Sequence, residues 1–219
     1  TAKLYNAQRL AFLRLIRSQN VGPITFRELI NRYGGAQQAL DALERLKDDQ
    51  FILTCSFHCP HVPITPSEPY ASMYAADTMK THSSIGDRRE NSPYYTGEVV
   101  PPYNDSEKVK YMVANYYAFV TEIDDWVGKI LDKLEALGLA EETLVCFTTD
   151  HGDFWGQHGL TRKAIHHYED LLRVPMIVRW PGRVAVGAVS DALQSLVDYP
   201  QTWLAAAGIE APGDLLRAL

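Results

Sequence analysis

Between Ser106 and Leu137 apolar side chains recur at three- and four-residue steps: Val109, Met112, Val113, Tyr116, Val120, Ile123, Val127, Ile130, Leu134 and Leu137. That period predicts one long amphipathic helix, and Gly138 ends it. Directly behind it, Thr143 to Thr149 is a short apolar run of the kind that forms a buried strand. A long helix feeding a buried strand commits the chain to a layered arrangement of helices on a sheet. Met176 to Trp180, closed by Pro181-Gly182, reads as a second strand, and Phe51 to Phe57 as a third. Asp198 caps a last helix from Tyr199 to Ala207, stopped by Gly208. Strands alternating with helices predict an α/β fold with parallel pairing, in which ligands gather at the carboxyl ends of the strands.

Apolar runs such as Phe51 to Cys55 and Leu144 to Phe147 fall far short of the roughly 20 residues that a membrane span needs. No membrane partner is therefore expected. Three cysteines without paired spacing do not make a disulfide framework. The chain opens Thr1-Ala2-Lys3 without an initiator Met or a charged-then-apolar leader, so these residues hold no secretory signal; a processed or truncated start reads the same, and the compartment is left open with the cytoplasm favoured. Charge divides the chain more sharply. Residues 1–47 hold eight Lys and Arg against three acids, a net of +5, while the remainder carries −11. The basic segment reads as three short helices, Gln8 to Arg17, Phe26 to Tyr33 and Ala36 to Leu46, separated by Gly22-Pro23 and Gly34-Gly35. Helical spacing then gives way to β-type alternation at Lys47-Asp48-Asp49-Gln50. The boundary is placed there, giving a helical module over 1–47 and an α/β segment over 48–219. Residues 58–105 contain seven prolines and read as a long ordered surface excursion.

Two strands run into histidine-bearing loops. Phe51 to Phe57 ends in His58-Cys59-Pro60-His61, and Thr143 to Thr149 ends in Asp150-His151-Gly152-Asp153. On a tight glycine-assisted turn, Asp150 and His151 can both face one metal ion. Two donors are only part of a coordination sphere, and a turn with a capping Asp and a solvated His has the same sequence. The surroundings weigh toward a site: His151, His158, His166 and His167 lie within 17 residues that also hold Lys163. His166-His167 reads as a solvated helix start. Cys55, Cys59 and Cys146 read as buried, inert thiols. Asp124-Asp125 sit about 100° apart on a helix and read as a solvated face. Neither a serine-hydrolase elbow nor a nucleotide-binding glycine loop is present.

The motifs E-I-D-D-W-V-G-K-I-L-D-K-L, T-L-V-C-F-T-T-D-H-G-D, G-Q-H-G-L-T-R-K and R-V-P-M-I-V-R-W-P-G follow one another in order. With the earlier S-F-H-C-P-H-V-P-I-T-P-S-E-P-Y-A-S-M-Y and the later S-L-V-D-Y-P-Q-T-W-L-A-A-A-G-I-E-A-P, they resemble the metal-dependent sulfatases of the alkaline phosphatase superfamily, over about residues 48–219. The resemblance implies a partial sulfatase-like sheet with flanking helices, and hydrolysis of sulfate esters of anionic small molecules. It implies that Asp150 and His151 are metal ligands, for calcium or alternatively manganese or zinc. Lys163 would act on the sulfate oxygens, His61 on the sulfate or the leaving group, and His158 would be a further substrate contact. The family also has an early Asp-rich metal segment and a C-x-[PSA]-x-R motif whose Cys or Ser becomes a formylglycine nucleophile. Neither occurs here, because Cys55, Cys59 and Cys146 are not followed by that pattern. The expectation is the second part of such a catalytic domain, with the N-terminal half missing. Phosphonate and phosphate ester hydrolases of the superfamily share the D-H-G form and are the alternative chemistry. Residues 1–47 resemble the N-terminal helical module of the DNA-processing protein A (Smf) family, a helix-hairpin-helix-like unit. Its V-G-P turn and positive charge fit weak DNA contact through turn amides and Arg, a helical module used for protein contact has the same sequence features, and a non-catalytic fusion is the alternative for the whole chain. Oligomeric state is not readable from these residues.

Overall fold

Alanine and leucine at helical spacing form the first element, α1, over Ala36–Leu46, with Ala36, Ala39 and Leu43 buried and Arg45 in the last turn. A computed structural model describes residues 36–87, 89–93, 105–163 and 165–209. The two helices expected at Gln8 to Arg17 and Phe26 to Tyr33 lie outside the described residues. The long amphipathic run forms α2, Ser106–Ala136. Asp105 starts it, its carboxylate accepting from the N–H groups of Glu107 and Lys108 at 3.1 and 3.4 Å. Leu137 N–H donates to the Lys133 carbonyl and Gly138 takes φ +69°, a left-handed helix stop. Burial along α2 falls on Val109, Ala114, Ala118, Phe119 and Leu134, while Val120 is 46% exposed. Of the expected stripe only Val120 is exposed, and Ala114, Ala118 and Phe119 add to the covered side.

The chain divides into two compact units, and α2 runs through both. One unit holds residues 36–73 and 116–137. In it Lys133 pairs with Glu44 of α1, Ser67 Oγ donates to Glu122 at 2.8 Å, and the Tyr70 hydroxyl donates to Asp125 at 2.7 Å. Asp124 and Asp125 are exposed, as expected of a solvated face. Phe51 to Phe57, expected as a strand, has no ladder partner among the described residues. Its burial nonetheless alternates residue by residue, as it does in an extended segment with one covered side.

The other unit holds residues 74–115 and 138 onward. Its strands are β1, Val145–Thr148, β2, Phe154–Trp155, β3, Thr161–Arg162, and β4, Met176–Arg179, with a single-turn helix α3 over Glu169–Leu172 and a last helix α4 over Tyr199–Ala206. Parallel pairing was the expectation, but β1 pairs with β4 antiparallel, Val145 opposite Arg179 and Thr148 opposite Met176. The connection between them is a hairpin and one helical turn, too short a helix to carry the chain back to the other end of the sheet. That hairpin, β2 to β3, was not expected from the sequence. It places Phe154 opposite Arg162 and Trp155 opposite Thr161. Phe154, Leu160 and Leu171 form a core cluster with Tyr168 against it. Gly156 adopts φ +95°, a left-handed conformation that favours glycine, and a Cβ there would press on the Val109 side chain of α2 at 3.1 Å. Among the described residues, no helix is long and apolar enough to cross a membrane.

Candidate functional site

Strand β1 ends at Thr148, and Asp150-His151-Gly152 turns immediately beyond it. Gly152 N–H donates to the Leu171 carbonyl at 2.9 Å, so the turn is docked on α3. Asp150 Oδ1 accepts from the His151 N–H at 3.0 Å. His151 Nδ1 lies 2.6 Å from the Gly152 carbonyl. A carbonyl only accepts, so Nδ1 carries the proton and Nε2 presents a lone pair. Nε2 lies 3.6 Å from Asp150 Oδ2, with side-chain exposures of 32% for His151 and 78% for Asp150. Two donors bound at right angles about 2.4 Å from one ion are about 3.4 Å apart, so this pair has the bite of neighbouring metal ligands. The fixed tautomer is also the one that metal-binding histidines adopt. Among the described residues no group of three or more His, Cys, Asp or Glu side chains is gathered closely enough to hold a metal ion. The turn therefore offers two donors.

Beyond the turn, β2 and β3 carry the chain out and back. Lys163, exposed, follows Arg162, and continuing the hairpin register by one step sets it across from Asp153. The 13 residues between Asp150 and Lys163 thus fold back on themselves, bringing the expected anion-binding lysine to the base of the hairpin whose other arm follows the Asp-His turn.

His158 sits in the connection of that hairpin. Its Nδ1 lies 3.0 Å from Asp87 Oδ2, and since a carboxylate only accepts, Nδ1 donates. Its Nε2 faces Asp170 Oδ2 at 3.9 Å, too long for a hydrogen bond, and its ring stacks on Tyr168 at 4.0 Å and 9°. The hydrogen bond from His158 is the main cause that holds the Asp87 carboxyl below its ordinary range, reinforced by the Arg89 N–H. Of His166-His167, expected as a solvated helix start, His167 is exposed as expected and His166 is not. The helix begins only at Glu169, and His166 is half-buried, with Arg89 Nη1 3.3 Å from its Nε2 and the Phe154 and Tyr168 rings around it. Burial, then the Arg89 charge, lowers its pKa. Arg89 is itself 5% exposed. A cavity of about 820 Å³ opens here, lined among others by Asp87, Arg89, His158, His167 and Tyr168. Asp87, Arg89, Tyr168 and Asp170 were not singled out from the sequence. Nothing in a proline-studded loop ties Asp87 and Arg89 to histidines more than seventy residues away.

In the other unit, His61 is half-buried and its Nδ1 lies 2.8 Å from the Val62 carbonyl, which again puts the proton on Nδ1 and leaves Nε2 outward. The His58 ring is 5.0 Å away. Cys55 and Cys59 are half-buried, and burial pushes both thiols up, in keeping with inert cysteines.

Comparison with known proteins gives these loops a context. The chain is 36% identical over 113 residues to an N-acetylglucosamine-6-O-sulfatase of Bacteroides thetaiotaomicron, covering 52% of this chain and 20% of that protein. It is 31% identical over 183 residues to an arylsulfatase of Clostridium perfringens, covering 80% and 38%. The chain thus spans well under half the length of these relatives. Among solved structures it resembles a phosphonate monoester hydrolase from Silicibacter pomeroyi, with a TM-score of 0.72 at 22% identity over 82% of this chain and 38% of that one. The alkaline-phosphatase-like fold is shared. A DprA-like N-terminal HHH domain profile matches residues 6–50. The sulfatase profile matches residues 35–209, four-fifths of the chain and every loop described above, and on that match the chain belongs to the sulfatase family.

Proposed function

We propose that residues 48–219 supply the metal- and anion-binding part of a sulfate ester hydrolase. Asp150 and His151 hold a divalent cation and Lys163 sets its charge against the sulfate oxygens, while His61, in the other unit, keeps the sulfate or leaving-group role that the family resemblance gives it. The observation that carries this reading is the Asp150–His151 pair: a ring Nε2 3.6 Å from a carboxylate oxygen, with Nδ1 held on the Gly152 carbonyl. When bound, the cation supplies electrostatic stabilisation of the charge that develops on the sulfate oxygens. Lys163 adds about 1 kcal/mol to the binding of a monoanion at contact distance in water, and several times more where water is excluded. His61, with Nδ1 donating to Val62, presents Nε2 for proton exchange with a leaving oxygen. The carboxylate suits calcium or manganese and the imidazole suits zinc.

Calorimetric titration of the whole chain with each of the three cations tests the reading. Binding of at least one, weakened about tenfold or more by Asp150→Asn, is the expected result. A wild-type chain that binds none of them would overturn it. Lys163→Ala should weaken sulfate binding to the metal-loaded chain and leave the cation affinity in place.

A second reading concerns residues 1–47, supported by the HHH-domain match over 6–50 and the net charge of +5. This module makes weak, electrostatic contact with DNA. Affinity of the whole chain for duplex DNA should fall steeply between low and physiological salt, and binding indifferent to salt would contradict it.

A further inference from the structure

The hairpin β2–β3 has Lys163 at its open end and His158 at its closed end, and the closed end is fastened through one imidazole. His158 Nδ1 donates to Asp87 at 3.0 Å, its backbone N–H donates to Ser84 Oγ at 3.0 Å, and its ring lies flat on Tyr168. Its Nε2 faces Asp170 of α3 at 3.9 Å. Helix α3 in turn supports the Asp-His turn. The Gly152 N–H donates to Leu171, and the Asp170 carbonyl lies so close that a Cβ on Gly152 would sit 1.8 Å from its oxygen. One side chain therefore touches the 84–87 loop and α3 while sitting in the hairpin that returns Lys163 toward Asp153.

The backbone at this position argues for a purpose. His158 has φ +54° and ψ +26°, left-handed, between Gly156 and Gly159, which are left-handed too. A third glycine would be the relaxed choice, so histidine is kept there against a conformational cost.

We propose that His158 is a positioning residue: clamped by Asp87 and Tyr168, it fixes the hairpin and α3 together and thereby sets Lys163 against the Asp150–His151 turn. This deepens the reading of Asp150, His151 and Lys163 as metal and anion ligands and rests on it for its consequence. The geometry itself is testable without metal or substrate.

The test is amide hydrogen exchange on the whole chain. His158→Gly relaxes the backbone and removes the ring. The Gly152 and Gly156 amides, bonded to Leu171 and Leu160, should then exchange about tenfold faster or more, while α2 amides keep their wild-type rates. His158→Asn tolerates a left-handed backbone and keeps an N–H for Asp87, so it should bring Gly152 back to within about threefold of wild type. Wild-type exchange at Gly152 in His158→Gly would overturn the proposal, and so would an Asn variant no better than Gly. Should His158→Gly unfold the chain, Tyr168→Leu decides instead, since it removes the stacking face and keeps apolar contact with Phe154. Faster exchange at Gly152 relative to α2 supports the clamp, and an unchanged ratio overturns it. A wild-type chain that binds no divalent cation would count against the metal reading alone, because the exchange rates at Gly152 still decide the role of His158.

Discussion

A guanidinium has only donors, so the contact between Arg89 Nη1 and His166 Nε2 requires a neutral imidazole with its proton on Nδ1. Burial and the adjacent Arg89 charge both disfavour a second proton, and the pKa of His166 is lowered. The sign follows from linkage. The unfolded chain takes up a proton near the ordinary histidine value of about 6.5 and the folded chain does not, so stability is full above that pH and falls as pH drops through the folded value. Asp87 has the same sign at lower pH, since its carboxyl is held down chiefly by the His158 hydrogen bond. The melting temperature should therefore decline from about pH 7 to 5, then again below about pH 4. His166→Gln keeps an acceptor for Arg89 without titrating, and should flatten the upper decline alone; Asp87→Asn should make the lower one shallower, while Glu44 and Asp105, whose carboxyls are also held down, keep the rest of it. A melting profile unchanged by His166→Gln would show that His166 does not take up its proton on unfolding. These residues were hard to read in advance for a plain reason. A histidine cluster is visible in sequence, but its partners Asp87 and Arg89 are chosen by tertiary packing, so His166 looked solvated when it is half-buried.

Elements whose causes are local were legible. The α1 bounds, the span of α2 with its Gly138 stop and the positions of β1 and β4 follow from spacing, caps and breakers within a few residues. Helix α4 starts at Tyr199 as expected, but without the expected side-chain cap, because the Asp198 carboxylate accepts from the Ser195 N–H at 2.9 Å instead. What depends on distant partners was not legible. Antiparallel pairing of β1 with β4, the short β2–β3 hairpin, the unpaired Phe51 to Phe57 segment and the Ala114 and Ala118 burial on α2 are set by what packs where. The Asp-His-Gly turn lies between these cases: its location was legible, whereas its dependence on α3 was not. That dependence gives a prediction. In Gly152→Ala the new Cβ meets the Asp170 carbonyl oxygen at 1.8 Å and its carbon at 2.9 Å, backbone atoms that no rotamer change can move aside. Either the turn or α3 must shift, at a cost of about 1–3 kcal/mol in urea unfolding. Gly128→Ala is the control, because it lies inside α2 with nothing within 4 Å of its Cβ and should stabilise by about 0.5–1 kcal/mol. Equal effects at the two glycines would mean that the turn is not docked on α3.

At the scale of the molecule, the net charge changes sign near residue 47, whereas the two family matches overlap over 35–50, with α1 lying inside both matched ranges. Composition shows that 46% of the residues are hydrophobic, but not which of them are covered. In the unit that carries the Asp-His turn, much of the apolar surface is open. Val186, Val189 and Leu193 are exposed at 93% or more, and Ile177 of β4 at 62%. Burying such a side chain fully is worth roughly 1.5–3 kcal/mol, and none of that is collected here. Three serines, Val186→Ser, Val189→Ser and Leu193→Ser, should therefore change the melting temperature little, as surface substitutions usually move stability by no more than about 0.5 kcal/mol each. The same triple variant should bind less of a hydrophobic dye such as ANS and associate less with itself in concentrated solution, because an open apolar strip is what both processes use. Dye fluorescence, sedimentation and thermal melting on the two proteins check this together. A drop of several degrees in melting temperature would show that these side chains are packed against the chain in solution, contrary to their exposure in the structure.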